Sequence, residues 1–538
     1  IFFQSEGRVQ STVGRAQINF QRTFKEKHQL VMLAASEIKD AKEESTSWTT
    51  YGYNKQTYSS ALVNYDTLYS LFDGLEYGMG RILANQGFTG FTNRFISFLM
   101  NASYIFDNRI TITGSARRDA SNLFGVETNN RWQPLWSVGA SWELSREGFY
   151  RSDLIPFLKL RATYGTRGNV NNQLSKIVTI VREPAMFSPL NIPFATIVSP
   201  SDPSLRWETA ADLNLGLDFK LKNNRLTGTL EYFHRKAIDL VYHALVDPST
   251  GLSSVQKNSA SLSTKGWQVE LGSVVLNGPF QWTSSLALNY TSSKITDYQI
   301  DDKGRTASGV IRSGVGLLML RGKDPYGLFS FPFAGLDPEN GDPRGYIGDK
   351  ISKDYYALLQ QAADTTRLVY HGSAIPRYYG NFLNTFSWKG FSLAVNVLYK
   401  LGFFVRKNGV TYETLFDNGI IQPEMEKRWR QKGDELFTNV PSMIYPIQDS
   451  YRDQFYNNSE ANVIRGDNIR LQYVRLSYQV NKPVFGAKFI QSLELSCSAN
   501  DLGFIWRASK DRLDPEFFGS EGRYLLPKNY TVGCRITF

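Results

Sequence analysis

Residues 529–538, NYTVGCRITF, decide the fold. Apolar and mostly polar side chains alternate along this stretch, and successive side chains of a β-strand point to opposite faces. In water the apolar row would need a packed partner, whereas in a membrane barrel it faces lipid. One face of the predicted strand carries Tyr530, Val532, Cys534, Ile536 and Phe538, and the other carries Thr531, Gly533, Arg535 and Thr537.

The same alternation recurs along the chain and predicts about 16 strands in total. Within 467–479 the apolar residues change parity after Tyr473, which predicts a β-bulge that keeps one face apolar. The other predicted strands lie at 13–22, 28–38, 94–106, 109–117, 136–143, 158–164, 208–219, 225–232, 264–274, 281–290, 377–388, 391–400 and 488–499.

The composition favours a membrane protein built from strands. Of the 538 residues, 42% are hydrophobic and 14% aromatic, and no run approaches the roughly 18–20 apolar residues of a membrane helix. The net charge of +10 comes mainly from single basic residues interleaved with acids, which argues against a nucleic-acid partner. We therefore expect an all-β protein, a transmembrane antiparallel β-barrel in contact with outer-membrane lipids.

The connections between the predicted strands are unequal in length. Tight turns are predicted at 222–224 and 389–390, whereas the connections at roughly 39–92, 166–205, 294–376 and 402–466 are long. Such long connections are unusual in a compact soluble domain. Short periplasmic turns and long extracellular loops are typical of outer-membrane barrels, so the connections support the same fold and a location in the outer membrane.

Little in the sequence points to bond-making chemistry. Asp337, Glu339 and Asp342, with Asn340 between them, form an oxygen-rich group that is a weak candidate for a metal ion such as calcium. The spacing lacks the later glutamate of an EF-hand, and Asp-Pro and Asn-Gly favour a turn. The four histidines are scattered, and the two cysteines lie on apolar rows. We expect no catalytic residues, no cofactor and no enzymatic activity.

Ten short phrases, in order along nearly the whole chain, resemble the C-terminal barrel portion of the SusC/RagA family of TonB-dependent outer-membrane transporters from Bacteroidetes. Each phrase alone is weakly specific, and the ordered set carries the resemblance. They are 117–125 (RRDASNLFG), 130–132 (NRW), 158–165 (LKLRATYG), 205–209 (LRWET), 223–226 (NNRL), 335–343 (GLDPENGDP), 375–380 (IPRYYG), 468–471 (NIRL), 499–502 (ANDL) and 514–516 (DPE).

The resemblance implies a barrel of about 22 strands when complete, closed around an N-terminal plug. It also implies a SusD-like surface lipoprotein as a lid, energy from TonB–ExbB–ExbD through the plug, and a bulky oligosaccharide or oligopeptide as cargo. Neither a plug nor the first barrel strands are recognisable in 1–538, which therefore resemble the C-terminal part of such a barrel. An open barrel edge would leave backbone groups unpaired in lipid. We expect the missing strands in a further segment or a second chain.

Three other functions remain as alternatives. A receptor of the siderophore or cobalamin type would have a similar barrel but would work without a lipoprotein lid, so co-purification separates the two. A passive porin would conduct steadily without an inner-membrane partner. A barrel-anchored enzyme would need a nucleophile and a base converging near one rim, and no such pair stands out.

Phe538 provides a prediction that the sequence alone supports. The terminal aromatic strand resembles the signal that the barrel-assembly machinery recognises. Deleting Phe538 is therefore expected to lower the amount of protein inserted in the outer membrane. Immunoblots of isolated outer membranes measure this amount, and normal levels of the truncated protein would contradict the assignment.

Overall fold

The computed structural model describes residues 1–70, 79–83, 85–122, 132–169, 178–183, 192–202, 204–247, 249, 251–252, 254–298, 306–312, 316–361, 364, 366–446, 449–480, 491–510, 513–516 and 527–537. Phe538 lies outside these residues, so its role stays a prediction. Parts of the phrases at 117–125 and 130–132, and the first three residues of the strand predicted at 488–499, also lie outside them.

Strands dominate the described residues. Short 3-10 turns lie at Leu144–Arg146, Lys222–Asn224, Pro423–Lys427, Asp434–Leu436 and Glu460–Asn462. The helices are α1 (Ala307–Arg312), α2 (Tyr355–Gln360), α3 (Tyr412–Asn418) and α4 (Ser450–Asn457). The strands are β1 (Phe2–Phe24), β2 (His28–Thr50), β3 (Leu68–Ser70), β4 (Met79–Arg81), β5 (Gln86–Phe106), β6 (Ile110–Ser121), β7 (Trp132–Glu143), β8 (Phe157–Asn169), β9 (Thr179–Glu183), β10 (Phe194–Ser199), β11 (Glu208–Lys220), β12 (Leu226–Leu245), β13 (Ser254–Leu276), β14 (Phe280–Tyr298), β15 (Gly327–Ser330), β16 (Gly345–Ile347), β17 (Lys350–Ser352), β18 (Val369–Ser373), β19 (Tyr378–Trp388), β20 (Phe391–Leu401), β21 (Phe404–Arg406), β22 (Val463–Arg465), β23 (Asn468–Val480), β24 (Ser492–Arg507) and β25 (Asn529–Thr537).

Fifteen of these strands form one sheet in which every strand is antiparallel to its neighbours in chain order. The order is β1-β2-β5-β6-β7-β8-β11-β12-β13-β14-β19-β20-β23-β24-β25. Each of the strands expected from the sequence falls in this sheet. No helix in the described part of the chain is both long and apolar enough to cross a membrane.

The register gives the sheet one apolar and one polar face. Adjacent cross-strand rows alternate in character, as the period of two along each strand requires. One row contains Leu160, Leu217, Leu230, Val269, Leu288, Gly380, Tyr399 and Ile469. The next row contains Arg161, Gly216, Glu231, Gln268, Asn289, Tyr379, Lys400 and Asn468.

The structure confirms the predicted bulge and both predicted turns. Gln472 is skipped in the pairing of β23 with β20, so the apolar face continues across the change of parity. The left-handed backbone of Asn223 and Asn224 joins β11 to β12 (φ 59° and 53°). Lys389 and Gly390, with φ of 47° and 89°, join β19 to β20.

The expected start of the first long connection was wrong. β2 does not end near residue 39 but continues to Thr50 and stays paired with β5 as far as Trp48 and Gln86. The stretch from Lys39 to Glu44 is strongly polar, so it lacks the apolar row on which the sequence prediction relied. A strand with both faces in water needs no such row.

Tight turns and long connections lie at opposite ends of the strands of the sheet. Because neighbouring strands are consecutive and antiparallel, alternate connections emerge on the same side. One end of the strands carries the tight turns at 25–27, 107–109, 221–225, 277–279 and 389–390, and the opposite end carries the connections at 51–85, 299–377 and 402–467.

The first and last strands of the sheet each have one neighbour. β1 pairs only with β2, and β25 pairs only with β24, among the described residues.

Gly380 is a position where the wall tolerates only a glycine. The Tyr399 hydroxyl crosses this residue to donate to the Ala287 carbonyl at 2.7 Å, and a Cβ at Gly380 would overlap both groups. We expect Gly380→Val to reduce the amount of folded, outer-membrane protein, because β14, β19 and β20 could no longer approach. Gly114→Val is the matched control, since a Cβ there meets nothing within 4 Å. Equal amounts of both variants in heat-modifiability gels would contradict the prediction.

Candidate functional site

Two long connections at the same end of the strands fold together into a compact unit. The first joins β14 to β19, and the second joins β20 to β23. We call this unit the loop domain and define it as the described residues within 306–376 and 402–467. Both connections contribute to its core, so it presents a fixed surface. The core side chains are Ala307, Val310, Ile311, Leu318, Leu320, Phe329, Phe331, Tyr355, Leu358, Leu359, Leu368 and Phe455.

Backbone pairing ties the two connections to each other. Phe331 in the first forms a parallel bridge to Ser459 in the second. The Phe331 amide donates to the Asn458 carbonyl at 3.0 Å, and the Glu460 amide donates back to the Phe331 carbonyl at 3.0 Å. These bonds satisfy backbone groups that would otherwise be buried without partners.

A buried guanidinium fastens the same junction. Arg406 of β21 donates to the Ile311 carbonyl at 3.2 Å, to the Asn458 side-chain oxygen at 3.1 Å and to the Phe329 carbonyl. Burial lowers the pKa of Arg406 to about 10. The group remains charged at neutral pH, and its partners are neutral oxygens contributed by both connections.

A second core forms around α3 and α4. The buried carboxylate of Asp453 accepts from the backbone amides of Tyr412 at 2.6 Å and Glu413 at 3.3 Å, at the start of α3. Burial raises the pKa of Asp453. The Tyr412 hydroxyl donates to the Pro441 carbonyl at 2.6 Å, and burial raises the pKa of Tyr412 to about 12. The core itself consists of Val410, Tyr412, Met425 and Tyr456.

The oxygen-rich group predicted from the sequence forms an ion-paired turn in the loop domain. Lys353 lies 2.7 Å from Asp337, Lys432 lies 2.5 Å from Glu339, and Arg452 lies 2.8 Å from Asp342. No three His, Cys, Asp or Glu side chains within the described ranges are placed to hold a metal ion. Basic groups already neutralise the three carboxylates, and a metal site there stays a prediction.

The Asp337 pair predicts an acid-sensitive loop domain. The hydrogen bond from Lys353 and the backbone amide of Glu339 hold the pKa of Asp337 below its usual value. A carboxyl group whose pKa is lower in the folded state stabilises the fold at pH values above its unfolded-state pKa, which is about 3.9 for Asp. This stabilisation is lost as the pH falls through the folded-state pKa. We expect at most about 1 kcal/mol, because the pair is partly solvated. Thermal unfolding at pH values from 6 to 3 measures this loss of stability. An equal loss over the same pH range in the Asp337→Asn variant would contradict the prediction.

A cavity opens where the loop domain meets the polar face of the sheet. Its volume is about 380 Å³. β14, β19 and β20 provide one side, and Asp324 together with the end of the first connection provides the other. The side chains with hydrogen-bonding groups around it are Thr291, Ser293, Asp324, Ser373, Arg377, Tyr379 and Lys400.

Ion pairs organise the charges at this cavity. Arg377 lies 3.3 Å from Asp324, whose side chain is almost fully buried. Lys400 pairs with Glu516, which belongs to the connection between β24 and β25. Two residues before Glu516, the buried carboxylate of Asp514 pairs with Arg470 of β23 at 2.6 Å. Two separate connections, β14–β19 and β24–β25, thus converge on the polar face around the cavity.

A serine and a histidine meet in the loop domain, but the serine has no access to solvent. The Ser330 hydroxyl and Nε2 of His371 are 2.7 Å apart. Ser330 has no exposed surface, and burial lowers the pKa of His371. A nucleophile must reach its substrate, so this contact has a structural role.

The sequence predicted neither the loop domain nor the cavity residues. Arg377 and Tyr379 lie in the phrase at 375–380, Arg470 in the phrase at 468–471, and Asp514 and Glu516 in the phrase at 514–516. The phrases that carry the resemblance therefore coincide with anchoring points around the cavity. The position of these residues within the resembling segments is the sequence signal by which the cavity residues could have been found.

Comparison with known protein families assigns the sheet. The family model described as TonB dependent receptor-like, beta-barrel, matches residues 6–412 of the 538. The chain belongs to the TonB-dependent receptor-like β-barrel family. The resemblance stated from the sequence and the expected outer-membrane location are confirmed. In this barrel family the apolar face of the wall meets lipid, and the long connections lie outside the cell.

Individual members of the family show how far the similarity extends. TonB-dependent receptor P39 of Formosa agariphila is 24% identical over 550 residues, covering 95% of this chain and 50% of the relative. TonB-dependent receptor SusC of Bacteroides thetaiotaomicron is 27% identical over 414 residues, covering 71% of this chain and 38% of the relative. The chain spans about half the length of the first two curated relatives it matches.

A solved transporter structure shares the fold. The structure of the RagAB peptide transporter superposes with a TM-score of 0.75 at 21% identity, covering 100% of this chain and 56% of that chain. The superposition includes the fifteen-stranded sheet and its connections. Together with the family match, it confirms the all-β, antiparallel barrel fold expected from the sequence.

Proposed function

We propose that this chain forms the wall and loop domain of an outer-membrane transporter that imports a bulky oligosaccharide or oligopeptide with energy from TonB. The single observation that carries the proposal is the family match over residues 6–412. The relatives named TonB-dependent receptor and SusC support the same mechanism. Import of this kind moves a solute without making or breaking its bonds, so we propose that the chain is not an enzyme.

The two edges of the sheet support a larger assembly around this chain. β1 and β25 each have one neighbour in the described part of the chain, and β1 is exposed along its whole length. Unpaired strand edges are unfavourable in lipid. We propose that further strands close the barrel and that a plug domain fills it, with residues 1–538 as the C-terminal part of the barrel. The matched relatives are long enough to supply such segments.

The outer surface of the loop domain supports a protein partner. Ile421, Phe437 and Tyr445 are large apolar or aromatic side chains that are 77%, 90% and 75% exposed. Exposed apolar groups on a folded surface typically mark contacts with another protein. We propose that a SusD-like surface lipoprotein covers this surface as a lid over the barrel.

Uptake measurements test the transport proposal. A strain that lacks this protein is expected to lose growth on one class of oligosaccharide or oligopeptide, and removal of TonB is expected to have the same effect. Growth that depends on the protein but not on TonB, with steady conductance in planar bilayers, would identify a passive porin. Loss of ferric siderophore or cobalamin uptake, with no lipoprotein bound, would identify that receptor type.

Affinity purification tests the partner separately. The native receptor is expected to co-purify with a lipoprotein of SusD type, identified by mass spectrometry. Phe437→Asp should reduce the recovered lipoprotein severalfold, because it places a charge on the proposed contact surface. Gln431→Asp adds the same charge at an exposed polar position and serves as the control. Equal recovery with both variants would remove Phe437 from the interface.

A further inference from the structure

The cavity between the loop domain and the wall is lined by a guanidinium that is partly open to it. Arg377 uses one terminal nitrogen for Asp324, and its side chain is 35% exposed. A ligand oxygen in the cavity can accept a hydrogen bond from the exposed part of this group.

A second cation lies beside this donor on the same face. Lys400 is the cross-strand partner of Tyr379, which follows Arg377 by two residues, so all three side chains project from the polar face. Lys400 already holds a carboxylate, because it pairs with Glu516. The pair is partly exposed, with side-chain exposures of 27% and 30%. An incoming carboxylate can therefore compete with Glu516 for the ammonium group.

The carboxylate of Asp324 does not cancel the attraction of these two cations for an anionic ligand. Its side chain is 6% exposed, and it accepts from the Tyr326 amide at 2.9 Å as well as from Arg377. These contacts give each oxygen of the carboxylate a donor within the protein and hold the guanidinium in place. What the cavity offers to a ligand is the partly exposed guanidinium of Arg377, the ammonium of Lys400 and the ring of Tyr379.

We propose that this cavity binds a carboxylate group of the cargo, with Arg377 and Lys400 as the recognising residues and Glu516 as an internal competitor. The inference rests on the proposed import function and narrows the cargo to molecules that carry a carboxylate. That carboxylate has two sources, an acidic sugar or the C terminus of a peptide. Charge-assisted bonds from arginine and lysine recognise either source.

Binding to the native receptor, purified in detergent from outer membranes, tests the proposal. The probes are trigalacturonate and its neutral methyl ester, and trialanine with a free or an amidated C terminus. In isothermal titration calorimetry one acid is expected to bind, and its blocked counterpart at least tenfold more weakly. The acid that binds identifies the source of the carboxylate. Equal binding of an acid and its blocked form, or no binding of either acid at millimolar concentration, would overturn the proposal.

Variants assign the effect to the cavity. Arg377→Gln and Lys400→Met are each expected to weaken the binding acid about ten- to a hundredfold. Glu516→Gln should strengthen it about two- to fivefold, because the competitor loses its charge. Arg475→Gln is the control, since Arg475 also pairs across the polar face, with Glu494 at 2.9 Å, but lies outside the cavity. Unchanged affinity in Arg377→Gln and Lys400→Met would overturn the proposal.

The transport proposal fails or survives independently. TonB-dependent growth that persists in Arg377→Gln and Lys400→Met, together with equal binding of the acids and their blocked forms, would leave import intact and reject carboxylate recognition. Loss of TonB dependence in the wild-type strain would instead reject import. Heat-modifiability gels confirm that each variant contains a folded barrel.

Discussion

Phe455→Ala is expected to unfold the loop domain while leaving the barrel wall intact. The Phe455 side chain is fully buried, and its ring centroid lies 5.5 Å from that of Phe331 and 5.9 Å from that of Tyr355. Truncation of a buried phenylalanine removes apolar contacts and leaves a cavity, at a cost of about 3–5 kcal/mol. The cluster joins both connections, so its loss separates them.

The barrel wall does not share this core. The strands of the wall are held by a continuous hydrogen-bonded ladder, and the residues in contact with Phe455 lie in the loop domain. We therefore expect new proteolytic cleavage within 306–376 and 402–467 of the Phe455→Ala variant, but normal heat-modifiable migration of the barrel. Phe437→Ala is the matched control, because it makes the same truncation at a 90% exposed position. Equal protease resistance of the two variants would contradict the existence of a cooperative loop domain.

The wall could be predicted from the sequence because lipid imposes a rule on every strand. An apolar row opposite a polar row identified all the strands of the main sheet, and even the bulge at Gln472 appeared as a change of parity. The rule fails where lipid is absent. Beyond residue 39, β2 becomes polar on both faces, so its continuation to Thr50 has no apolar row to reveal it.

The loop domain could not be predicted because its core has no period. Its two connections contribute short helices and strands, and the contacts that join them span large distances along the chain. Glu460 donates to Phe331, for example, and Arg406 donates to Ile311. Local patterns do not encode such contacts, and tertiary packing determines the structure of each short element.

The cavity could not be predicted for a related reason. Its ion pairs join residues far apart in the sequence, such as Lys400 with Glu516 and Asp324 with Arg377. In the sequence these are ordinary single charges among many. Their proximity follows from the order of the strands, which places the ends of β14, β19 and β20 side by side.

Arg470→Met is expected to produce the second large loss of stability. The interaction that it removes is a buried ion pair rather than apolar packing. Arg470 and Asp514 pair at 2.6 Å with side-chain exposures of 4% each, and the guanidinium also lies 4.5 Å from the centroid of the Phe504 ring. Removing one partner of a buried pair leaves an uncompensated charge, which typically costs about 3–5 kcal/mol. Asp514 would have to leave its site to recover hydration, and Glu516 would move with it.

The double variant separates this explanation from a loss of packing. Replacement of both partners by apolar residues, Arg470→Met with Asp514→Leu, removes the buried charge altogether. A well-packed apolar pair is often as stable as the ion pair it replaces. We expect the double variant to recover most of the lost free energy of unfolding, measured in denaturant with the receptor in lipid vesicles. The Arg475→Gln variant, whose pair is partly exposed, should lose at most about 1 kcal/mol.

These outcomes also determine how the last connection is attached to the wall. If a buried charge is the cause, Arg470→Met should additionally weaken the Lys400–Glu516 contact, because Asp514 anchors the segment that carries Glu516. The cavity would then bind carboxylate probes more tightly in Arg470→Met than in the wild type, in parallel with Glu516→Gln. If the single and the double variant instead lose equal stability, Arg470 acts through packing against Phe504, and the carboxylate affinity should not change.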